Sequence, residues 1–497
     1  MNALRTIGEI IFNPFIFRIV NLVVYIFYFV PSDFNAENIP MKIIFVWGIV
    51  LLIWDFFTKR IMFKQPHWKV LFALCVSYLF SIATNFPSNF MDSAYNFVYL
   101  ATSVFIFYSI DPELDPKTRS KQFQLFNDIA ISIIFLLTSL SLLTYFFNIF
   151  YLVPTGTEGI MARQGFLENR LFGLYTSPNM GSMFGYVSVF LMTMNNFLKR
   201  GDWKKFQKLY VVNAVVQYLY YLLSSSRGTQ ITIVGFMIFM YLIVTYKLFA
   251  TKKHNLKKIA RNFVALATLF FLMNVVNYVV EFGLSYVPST ISYFISSPEQ
   301  EVVIDENGEM VTVNKKKVIE KITIQHSEEG SEVSSGRLSI WEAGLKLVKQ
   351  KPVFGVADSD VYRTGELSPQ LDESLLTELD KNELIRAHGN MHSTYIAVLV
   401  KAGIAGFIIL CIFVLFILND NIRFIGKPSF DLKNQDAQIY IIIFGFLLSL
   451  FVNDVVENHL IFNNRDVMGL IFWTYLGLSN RIRLENIEAN SEAKEVE

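Results

Sequence analysis

The sequence has little charge and almost no cysteine for a chain of 497 residues. Aspartate, glutamate, lysine and arginine make up 17% of it, against about 25% in soluble globular domains. Because the net charge is only +1, the composition gives no reason to expect nucleic acid as a partner. Cys75 and Cys411 are the only cysteines, and both lie in apolar stretches. A disulfide framework is therefore excluded, and we expect both to be small buried hydrophobic residues.

Long apolar stretches dominate the chain instead. Hydrophobic residues form 53% of it and aromatic residues 15%. They fall in windows of about 17 to 26 residues that are nearly free of charge, which is the length of a membrane-spanning helix. The sequence therefore predicts an all-α polytopic membrane protein with about twelve transmembrane helices. The predicted spans lie near residues 15–30, 41–57, 69–86, 90–110, 129–153, 177–197, 207–223, 229–249, 262–287, 393–418, 437–453 and 466–480.

The short connections between these spans divide into two sets by charge. One set holds 21 lysines and arginines, and the alternate set holds four, which are Arg163, Arg170, Arg227 and Arg465. Since cationic loops resist translocation, both termini are predicted to be cytoplasmic, and an even number of spans agrees with that. The first window retains Arg18 and lacks a small-residue cleavage site, so we expect an uncleaved anchor.

One connection, from about residue 288 to 391, is far longer than the others and lies on the predicted outer side. It holds 18 acidic and 11 basic residues. Within it, residues 301–305 (EVVID) and 309–313 (EMVTV) flank Asn307 and Gly308. An Asn-Gly pair between two such runs predicts a β-hairpin with a tight turn. A loop of this length with local order is more often functional than disordered.

A helical pattern follows later in the same loop. Leu338, Trp341, Leu345 and Val348 recur at helical spacing, which predicts an amphipathic helix against the outer leaflet or the helix bundle. The predicted organisation has four parts. These are residues 1–287 with transmembrane helices 1–9, residues 288–391 as the extracytoplasmic loop domain, residues 392–483 with helices 10–12, and residues 484–497 as a cytoplasmic tail.

Polar groups at an apolar boundary are energetically costly, so they are candidates for function. Four clusters qualify, all on the predicted outer side. The first spans residues 168–173 and is followed by residues 177–181 at the entrance of a span. We expect Arg170 in this cluster to face the outer cavity. The alternative is an interfacial arginine that reaches lipid head groups.

The second and third clusters each combine an arginine with groups that suit phosphate. Residues 224–229 place Arg227 beside several hydroxyls, including that of Ser226, and a guanidinium can bind phosphate oxygens in a bidentate manner. Residues 334–338 begin the predicted amphipathic helix and are followed by residues 351–356. Arg337 there would add to the positive field of the helix N-terminus.

The fourth cluster, residues 387–395, enters the span that begins near Ser393. A histidine at an outer membrane boundary can titrate near neutrality and act as a general base, so His388 and His392 are both candidates. Their spacing also allows a metal site, but no glutamate lies between them as in zinc proteases, and Gly389 weakens a helix. We therefore predict no metal ion and keep a simple interfacial histidine as the alternative.

A further outer group, Asp454, Glu457 and His459, precedes the last span, and its pattern favours an ordinary polar loop. The predicted cytoplasmic side contains no glycine-rich phosphate loop or Walker motif, which argues against ATP or nucleotide-sugar use.

The four clusters, in this order, resemble the O-antigen ligase and O-antigen polysaccharide polymerase superfamily of bacterial envelopes. The resemblance covers about residues 160 to 410 and rests on the sequences NRLFG at 169–173, SPN at 177–179, SSSRG at 224–228, GRLSIW at 336–341, PVFGV at 352–356, HSTY at 392–395 and KAGIAG at 401–406. Two positions depart from the family pattern, Ser393 where asparagine is common and Ala357 where a second glycine is common. The first departure leaves open whether His392 or His388 is the working histidine.

The resemblance implies a metal-independent, inverting glycosyltransferase of the GT-C type, which uses polyprenyl-pyrophosphate-linked sugars at the outer face and needs no cofactor. It implies a catalytic set in which His392 activates the acceptor hydroxyl while Arg227 and Arg337 bind the lipid pyrophosphate. The residues expected to bind or support substrate are Arg170, Ser226, His388 and Tyr395.

The motifs do not separate a repeat-unit polymerase from a ligase within this superfamily. We expect polymerisation of lipid-linked oligosaccharide repeat units in the bacterial cytoplasmic membrane, because the acidic outer loop offers no basic surface for a phosphorylated lipid core. The expected partners are these lipid-linked oligosaccharides, membrane lipid, a flippase and a chain-length regulator. The alternatives are a ligase that transfers finished glycan to another acceptor, and a flippase or transporter. A transporter usually has an internal repeat between its two halves and charged residues clustered in the middle of its spans. The sequence shows neither feature, which argues against a transporter.

Overall fold

The computed structural model describes residues 8–31, 39–154, 161–200, 207–250, 256–295, 300–304, 310–314, 319–324, 336–363, 365–463 and 466–496. Helices dominate these ranges. They are α1 (Pro14–Tyr28), α2 (Ile39–Phe57), α3 (Trp68–Thr84), α4 (Phe90–Thr102), α5 (Pro116–Phe146), α6 (Pro178–Arg200), α7 (Lys208–Ser224), α8 (Arg227–Ala250), α9 (Leu256–Leu284), α10 (Val287–Ile295), α11 (Arg337–Gln350), α12 (Glu378–Ala387), α13 (Thr394–Gly426), α14 (Gln435–Asn453) and α15 (Val467–Val496).

Each of the twelve predicted spans overlaps one of these helices. Six segments are long and apolar enough to cross a membrane, namely Ile39–Phe57, Pro116–Phe146, Arg227–Ala250, Leu256–Ile295, Thr394–Gly426 and Gln435–Asn453. Two apolar helices, Pro14–Tyr28 and Trp68–Thr84, are shorter. The architecture is thus that of a mostly helical, multi-pass membrane protein. The total of twelve spans stays a prediction.

Helix α13 is interrupted near its first third. Gly403 has φ 66° and ψ −170°, a backbone conformation that is essentially restricted to glycine. A Cβ atom at this position would overlap the carbonyl oxygen of Val353. The interruption therefore requires glycine for two reasons, the backbone conformation and the close approach of a second segment.

Residues 352–357 pair with the backbone groups that the interruption exposes. The NH groups of Val356 and Ala357 donate to the carbonyls of Val400 and Lys401, at 2.8 and 3.1 Å. The first two NH groups after Gly403 donate in return to the carbonyls of residues 352 and 353, at 2.9 and 3.1 Å. Backbone groups in an apolar region must find internal partners, so the two segments form one structural unit.

Arg18 in α1 donates hydrogen bonds to backbone carbonyl groups at an irregular helix end. Residues Ser103–Phe107 form a π-helical turn after α4. The guanidinium of Arg18 donates to the carbonyl of Ile106 at 2.6 Å and to that of Ser109. Only 8% of Arg18 is exposed, so the single charge of the first apolar window is a structural donor.

The expectation of an all-helical membrane region is wrong at one place. Helix α5 ends at Phe146, and the predicted span to residue 153 instead runs into strand β1 (Phe150–Pro154). It pairs antiparallel with β2 (Met161–Leu167), which pairs with β3 (Arg170–Gly173). Short apolar runs fit a strand as well as a helix, which is why periodicity did not separate them.

The long loop contains strands β4 (Gln300–Ile304) and β5 (Met310–Asn314), which pair antiparallel in the register expected of a hairpin. The predicted turn at Asn307 and Gly308 lies outside the described residues. Helix α10, just before these strands, was not predicted as part of the loop.

Helix α11 lies where the amphipathic helix was predicted, but its buried face differs. Leu338 and Leu345 are exposed, whereas Ile340, Ala343 and Leu347 pack against α12 and α13. Small residues allow this close approach, because the Cβ of an alanine at Gly344 would lie 3.0 Å from a methionine sulfur. The buried face of the helix therefore differs from the predicted apolar face by one residue or more. Of the two predicted surroundings, the outer leaflet and the helix bundle, the helix packs against other helices of the protein.

We predict that Gly403→Ala lowers the stability of the protein. The backbone conformation alone costs a non-glycine residue about 1–3 kcal/mol, and the overlap with Val353 adds to this. Gly283→Ala in α9 is the matched control, since an added Cβ there meets nothing within 4 Å. Thermal unfolding in detergent should show a large loss for the first and none for the second. Equal stability of both variants would contradict the assigned break.

Candidate functional site

The candidate site is assembled on the carboxylate of Glu457. Arg337 donates from Nη2 to Oε1 of Glu457 at 2.6 Å. The Nδ1 atom of His392 lies 3.8 Å from Oε2, an ion-pair contact that is too long for a hydrogen bond. Only 14% of the Glu457 side chain is exposed. We call Glu457, Arg337 and His392 the Glu457 centre.

Hydrogen bonds tie the Glu457 loop to the start of α13. The NH of Thr394 lies 3.0 Å from the carbonyl oxygens of both Asp454 and Glu457. The Thr394 hydroxyl donates to the carboxylate of Asp454 and to the side-chain oxygen of Asn458, the latter at 3.1 Å. Because His392 lies two residues before Thr394, these contacts bring it to Glu457.

Helix α11 is fixed to the same point of the chain. The indole NH of Trp341 donates to the carbonyl of Met391 at 2.9 Å. Arg337 is the first residue of this helix, one turn before Trp341. The hydrogen bond therefore holds the Arg337 guanidinium on the same side as His392, which directly follows Met391.

The N-terminus of α8 faces the same carboxylate. A Cβ atom at Gly228 would lie 3.4 Å from Oδ1 of Asn453 and 3.7 Å from Oε1 of Glu457. The hydroxyl of Ser226 accepts a hydrogen bond from the NH of Thr229 at 3.3 Å and so caps this helix. The unpaired NH groups of a helix N-terminus carry partial positive charge, which stabilises a nearby anion.

These surroundings keep Glu457 ionised. Burial alone would raise its pKa, but His392, His459 and Arg337 together hold the pKa of Glu457 below its ordinary value. The centre thus combines a carboxylate anion with an arginine, an imidazole and a helix N-terminus. Such a set can bind an anionic group on the cationic side and orient an imidazole for proton transfer.

Arg227 lies next to Gly228, but its side chain lines a cavity that does not include Glu457. It is exposed and lines a cavity of about 450 Å³ between α7, α8 and α9. The cavity, which we call the Arg227 cavity, is also lined by Ser225, Ser226, Gln230, Asn274, Asn277 and Glu281. Arg227 makes no ion pair with any residue in the described ranges. The predicted pair of arginines is therefore split, with Arg337 at the centre and Arg227 beside it.

Arg170 supports the turn that precedes α8. Its Nε donates to the carbonyl of Ser224 at 2.9 Å, and its Nη2 donates to Oδ1 of Asn179 at 2.8 Å. It is the first residue of β3, after a two-residue turn in which Glu168 and Asn169 both have positive φ. The first and second sequence clusters therefore meet through a backbone contact.

Two other predicted residues lie apart from the centre. The Tyr395 hydroxyl donates to the carbonyl of Phe451 at 2.9 Å and so joins α13 to α14. His388 ends α12 with a positive φ and lines a different cavity, of about 280 Å³. Of the two candidate histidines, only His392 contacts Glu457.

The residues that the sequence pattern assigned to an ordinary polar loop form a buried network. His459 and Asp466 are 4% and 0% exposed, and Nδ1 of His459 lies 2.5 Å from Oδ2 of Asp466. Burial lowers the pKa of His459, but Asp466 more than offsets this and raises it to about 10. Asp454 is fully buried, and burial raises its pKa to about 7. Charged residues directly after an apolar span were the signal for this network.

Across the described ranges, no three His, Cys, Asp or Glu side chains are grouped so that they could hold a metal ion.

Residues 212–411 match the family model described as O-antigen ligase. Over these residues the chain is similar to the O-antigen ligase family. This match confirms the resemblance to the O-antigen ligase and polymerase superfamily. The matched region includes Arg227, Arg337 and His392, whereas Arg170 and Glu457 lie outside it. No curated protein matches the chain.

We predict that Asp466→Asn is strongly destabilising and Asp454→Asn is not. Removing one partner of a buried ion pair leaves the other charge unpaired and costs about 3–5 kcal/mol. The pKa of Asp454 is about 7, so a large fraction of this carboxyl group is protonated at neutral pH. Asparagine resembles the protonated, uncharged form, so the Asp454→Asn substitution should cost little stability. Thermal unfolding at pH 7 measures both effects.

The pH dependence supplies a second check of the same pair. An acid with a raised folded pKa loses stability as the pH rises from its unfolded value, 3.8, towards 7. Asp454→Asn removes this loss, so its stability relative to the native chain should increase over that range. A constant difference between the two proteins would contradict the assignment.

Proposed function

We propose that the protein joins polyprenyl-pyrophosphate-linked oligosaccharide repeat units by inverting, metal-independent glycosyl transfer at the outer face of the membrane. The observation that carries this proposal is the meeting of Arg337 and His392 on Glu457, beside the N-terminus of α8. The match of residues 212–411 to the O-antigen ligase family supports a reaction of this class.

The donor in this reaction already carries a good leaving group, so no cofactor has to activate it. The protein must stabilise the negative charge that develops on the pyrophosphate. Arg337 supplies one guanidinium and Arg227 a second, from the adjoining cavity. The NH groups at the start of α8, which faces Glu457 at Gly228, favour the same charge.

The acceptor must lose a proton as its oxygen attacks the anomeric carbon of the donor. In the proposed step, the imidazole of His392 takes that proton and the new carbon–oxygen bond forms. The bond from the anomeric carbon to the phosphate oxygen breaks, and polyprenyl pyrophosphate leaves with the electron pair. Ionised Glu457 stabilises the imidazolium that results, because its carboxylate lies 3.8 Å from Nδ1.

The other predicted residues have supporting parts in this proposal. Arg170 and Ser226 hold the turn before α8 through hydrogen bonds. Tyr395 fixes α13, which carries His392 at its start. His388 belongs to the separate cavity that it lines.

The membrane arrangement is part of the same proposal. It has twelve spans in the bacterial cytoplasmic membrane, both termini in the cytoplasm and the loop of residues 288–391 outside. The distribution of 21 and four cationic residues between alternate connections supports this orientation. A flippase that delivers the lipid-linked repeats and a chain-length regulator are the proposed protein partners.

Polymerase and ligase activities share this chemistry and differ in the acceptor. The acidic loop, with 18 acidic and 11 basic residues, offers no basic surface for a phosphorylated lipid core, which favours the polymerase. The match to the O-antigen ligase family favours the ligase as the second candidate.

We predict that Arg337→Ala and His392→Ala each reduce glycosyl transfer by about 10²–10³-fold, because each removes a group that acts on the transition state. Glu457→Gln should lower the rate as well, since it keeps the shape but removes the charge opposite His392. The measurement is product formation by purified protein in detergent from lipid-linked repeats.

Arg423→Ala is the matched control, because Arg423 is an exposed arginine near the other end of α13. It should retain the native rate. Full activity in correctly folded His392→Ala protein would exclude the proposed base.

The choice between polymerase and ligase depends on one assay. Purified protein receives lipid-linked repeats and no other acceptor, and products are separated by size. A ladder of chains with two or more repeats is expected for a polymerase. Product that forms only after a different lipid or protein acceptor is added would identify a ligase instead.

A further inference from the structure

A second polar cavity lies beside the segment that follows Glu457. It has a volume of about 280 Å³ and lies between the loop of residues 355–360, the start of α4 and the segment after α14. Its lining includes Asp92, Asp358, Asp360, His388, Lys401 and Asn458. We call it the Lys401 cavity. Neither the O-antigen ligase match nor the proposed transfer step explains these residues.

Two charged groups in this cavity are buried without a full set of partners. Lys401 and Asp358 are each only 6% exposed. Within the part of the chain that the structure describes, the Lys401 ammonium makes no ion pair or hydrogen bond. The Oδ2 atom of Asp358 is buried and accepts no hydrogen bond, while Oδ1 accepts one from the NH of Asp360 at 3.3 Å. Ionisable groups inside a membrane protein are costly and usually serve a ligand.

The cavity wall is built by hydrogen bonds from helix α3. The Tyr78 hydroxyl donates to the carbonyl of Ala357 at 2.7 Å, and the Asn85 amide donates to that of Gly355 at 2.9 Å. On the opposite side, a Cβ atom at Gly389 would lie 2.9 Å from the backbone of Asp360. The polar groups of the cavity are therefore held in position before any ligand arrives.

The charges in the cavity restrict the class of ligand. A cation would pair with the three aspartates but would be repelled by Lys401, and also by Arg363, which pairs with Asp92. An anion would pair with Lys401 but would be repelled by the aspartates. A hydroxyl group both donates and accepts, so neighbouring hydroxyls can satisfy Asp358 and Lys401 together. A neutral, polyhydroxylated molecule meets these requirements.

The size and surroundings of the cavity fit a single sugar ring. A volume of about 280 Å³ lies at the lower end of ligand sites, which begin near about 300 Å³. The ring of Phe462 also lines the cavity, with the Lys401 ammonium 5.8 Å from its centre. An aromatic face beside carboxylates and amides offers both apolar and polar contacts to a pyranose.

Its position links the cavity to the Glu457 centre. Asn458 lines the Lys401 cavity, follows Glu457 in sequence and accepts a hydrogen bond from Thr394. The Arg227 cavity is lined by Arg227, which directly precedes Gly228, where α8 approaches Glu457. Each cavity therefore contains a residue that is adjacent in sequence to the Glu457 centre or to a residue that approaches it. A transfer reaction needs a place for the donor and another for the acceptor, and two separate cavities near one centre suit this requirement.

We propose that the Lys401 cavity binds a neutral sugar residue of the acceptor, with Asp358 and Lys401 as its hydrogen-bonding partners. This inference rests on the proposed glycosyl transfer. It goes further by assigning the acceptor to this cavity and by naming the sugar class as uncharged.

The test measures binding without turnover. Methyl glycosides of glucose, galactose, N-acetylglucosamine and glucuronic acid are added in turn to full-length protein in nanodiscs, and saturation-transfer NMR reports contact. At least one neutral glycoside should bind, and the glucuronide should bind more weakly than it. Lys401→Met and Asp358→Asn should each lower the affinity about tenfold or more, since each leaves a sugar hydroxyl without its partner.

Two control variants distinguish sugar binding in the Lys401 cavity from the proposed glycosyl transfer. Lys433→Met, at an exposed position, should bind as the native protein does. His392→Ala should also keep binding, because it removes the proposed base and leaves the cavity. Lys401→Met removes a buried unpaired charge, so its melting temperature should not fall, and loss of binding cannot be attributed to unfolding.

The inference is overturned if no neutral glycoside binds, if the glucuronide binds best, or if both cavity variants bind as the native protein does. Failure of the proposed function has a different signature. In that case His392→Ala transfers sugar at the native rate, whatever the binding experiment shows.

Discussion

A single carboxylate joins chain segments that are far apart in sequence. Glu457 pairs with Arg337, approaches His392 and faces the N-terminus of α8 at Gly228. Removing charges from water is costly unless each finds a partner, and the Arg337 side chain is only 22% exposed. Glu457 therefore makes it possible for an arginine and an imidazole to be held close together in an otherwise apolar protein, which is the condition for any chemistry at this place.

The interruption of α13 has a comparable role for the second cavity. Residues 352–356 and 401–406 both belong to the sequences that carry the family resemblance, and the segments pair through backbone hydrogen bonds. Their main contribution is structural, because they allow a helix to break inside the protein without unpaired backbone groups. Ala357 has φ 64°, a conformation that favours glycine, and this explains why glycine is common there in the family. The same pairing holds Asp358 and Lys401 in place.

Sequence reasoning located the helices because bilayer thickness sets the length of an apolar window. It also selected Arg337 and His392 as candidates, since charge at an apolar boundary is unusual, and the structure brings both to Glu457. It assigned Glu457 to an ordinary polar loop, because the local sequence around a carboxylate does not show whether the side chain faces solvent or two cationic side chains. Sequence reasoning also assigned the wrong face of α11 as buried. The helix packs closely through the small residues Ala343 and Gly344, and small residues add little to an apolar periodicity. These errors concern partners distant in sequence, which a local pattern does not contain.

The chemistry of the two cavities differs in a way that gives the proposed reaction a direction. The Arg227 cavity presents an exposed guanidinium and hydroxyls, which suit a pyrophosphate. The Lys401 cavity mixes three carboxylates with a lysine and an arginine, which disfavours an anion there. In the proposed reaction, this difference directs the lipid pyrophosphate to the Arg227 cavity and the acceptor sugar to the Lys401 cavity. The carboxylate of Glu457 lies 3.8 Å from Nδ1 of His392, so its negative charge would favour the imidazole as a proton acceptor when the acceptor hydroxyl is deprotonated.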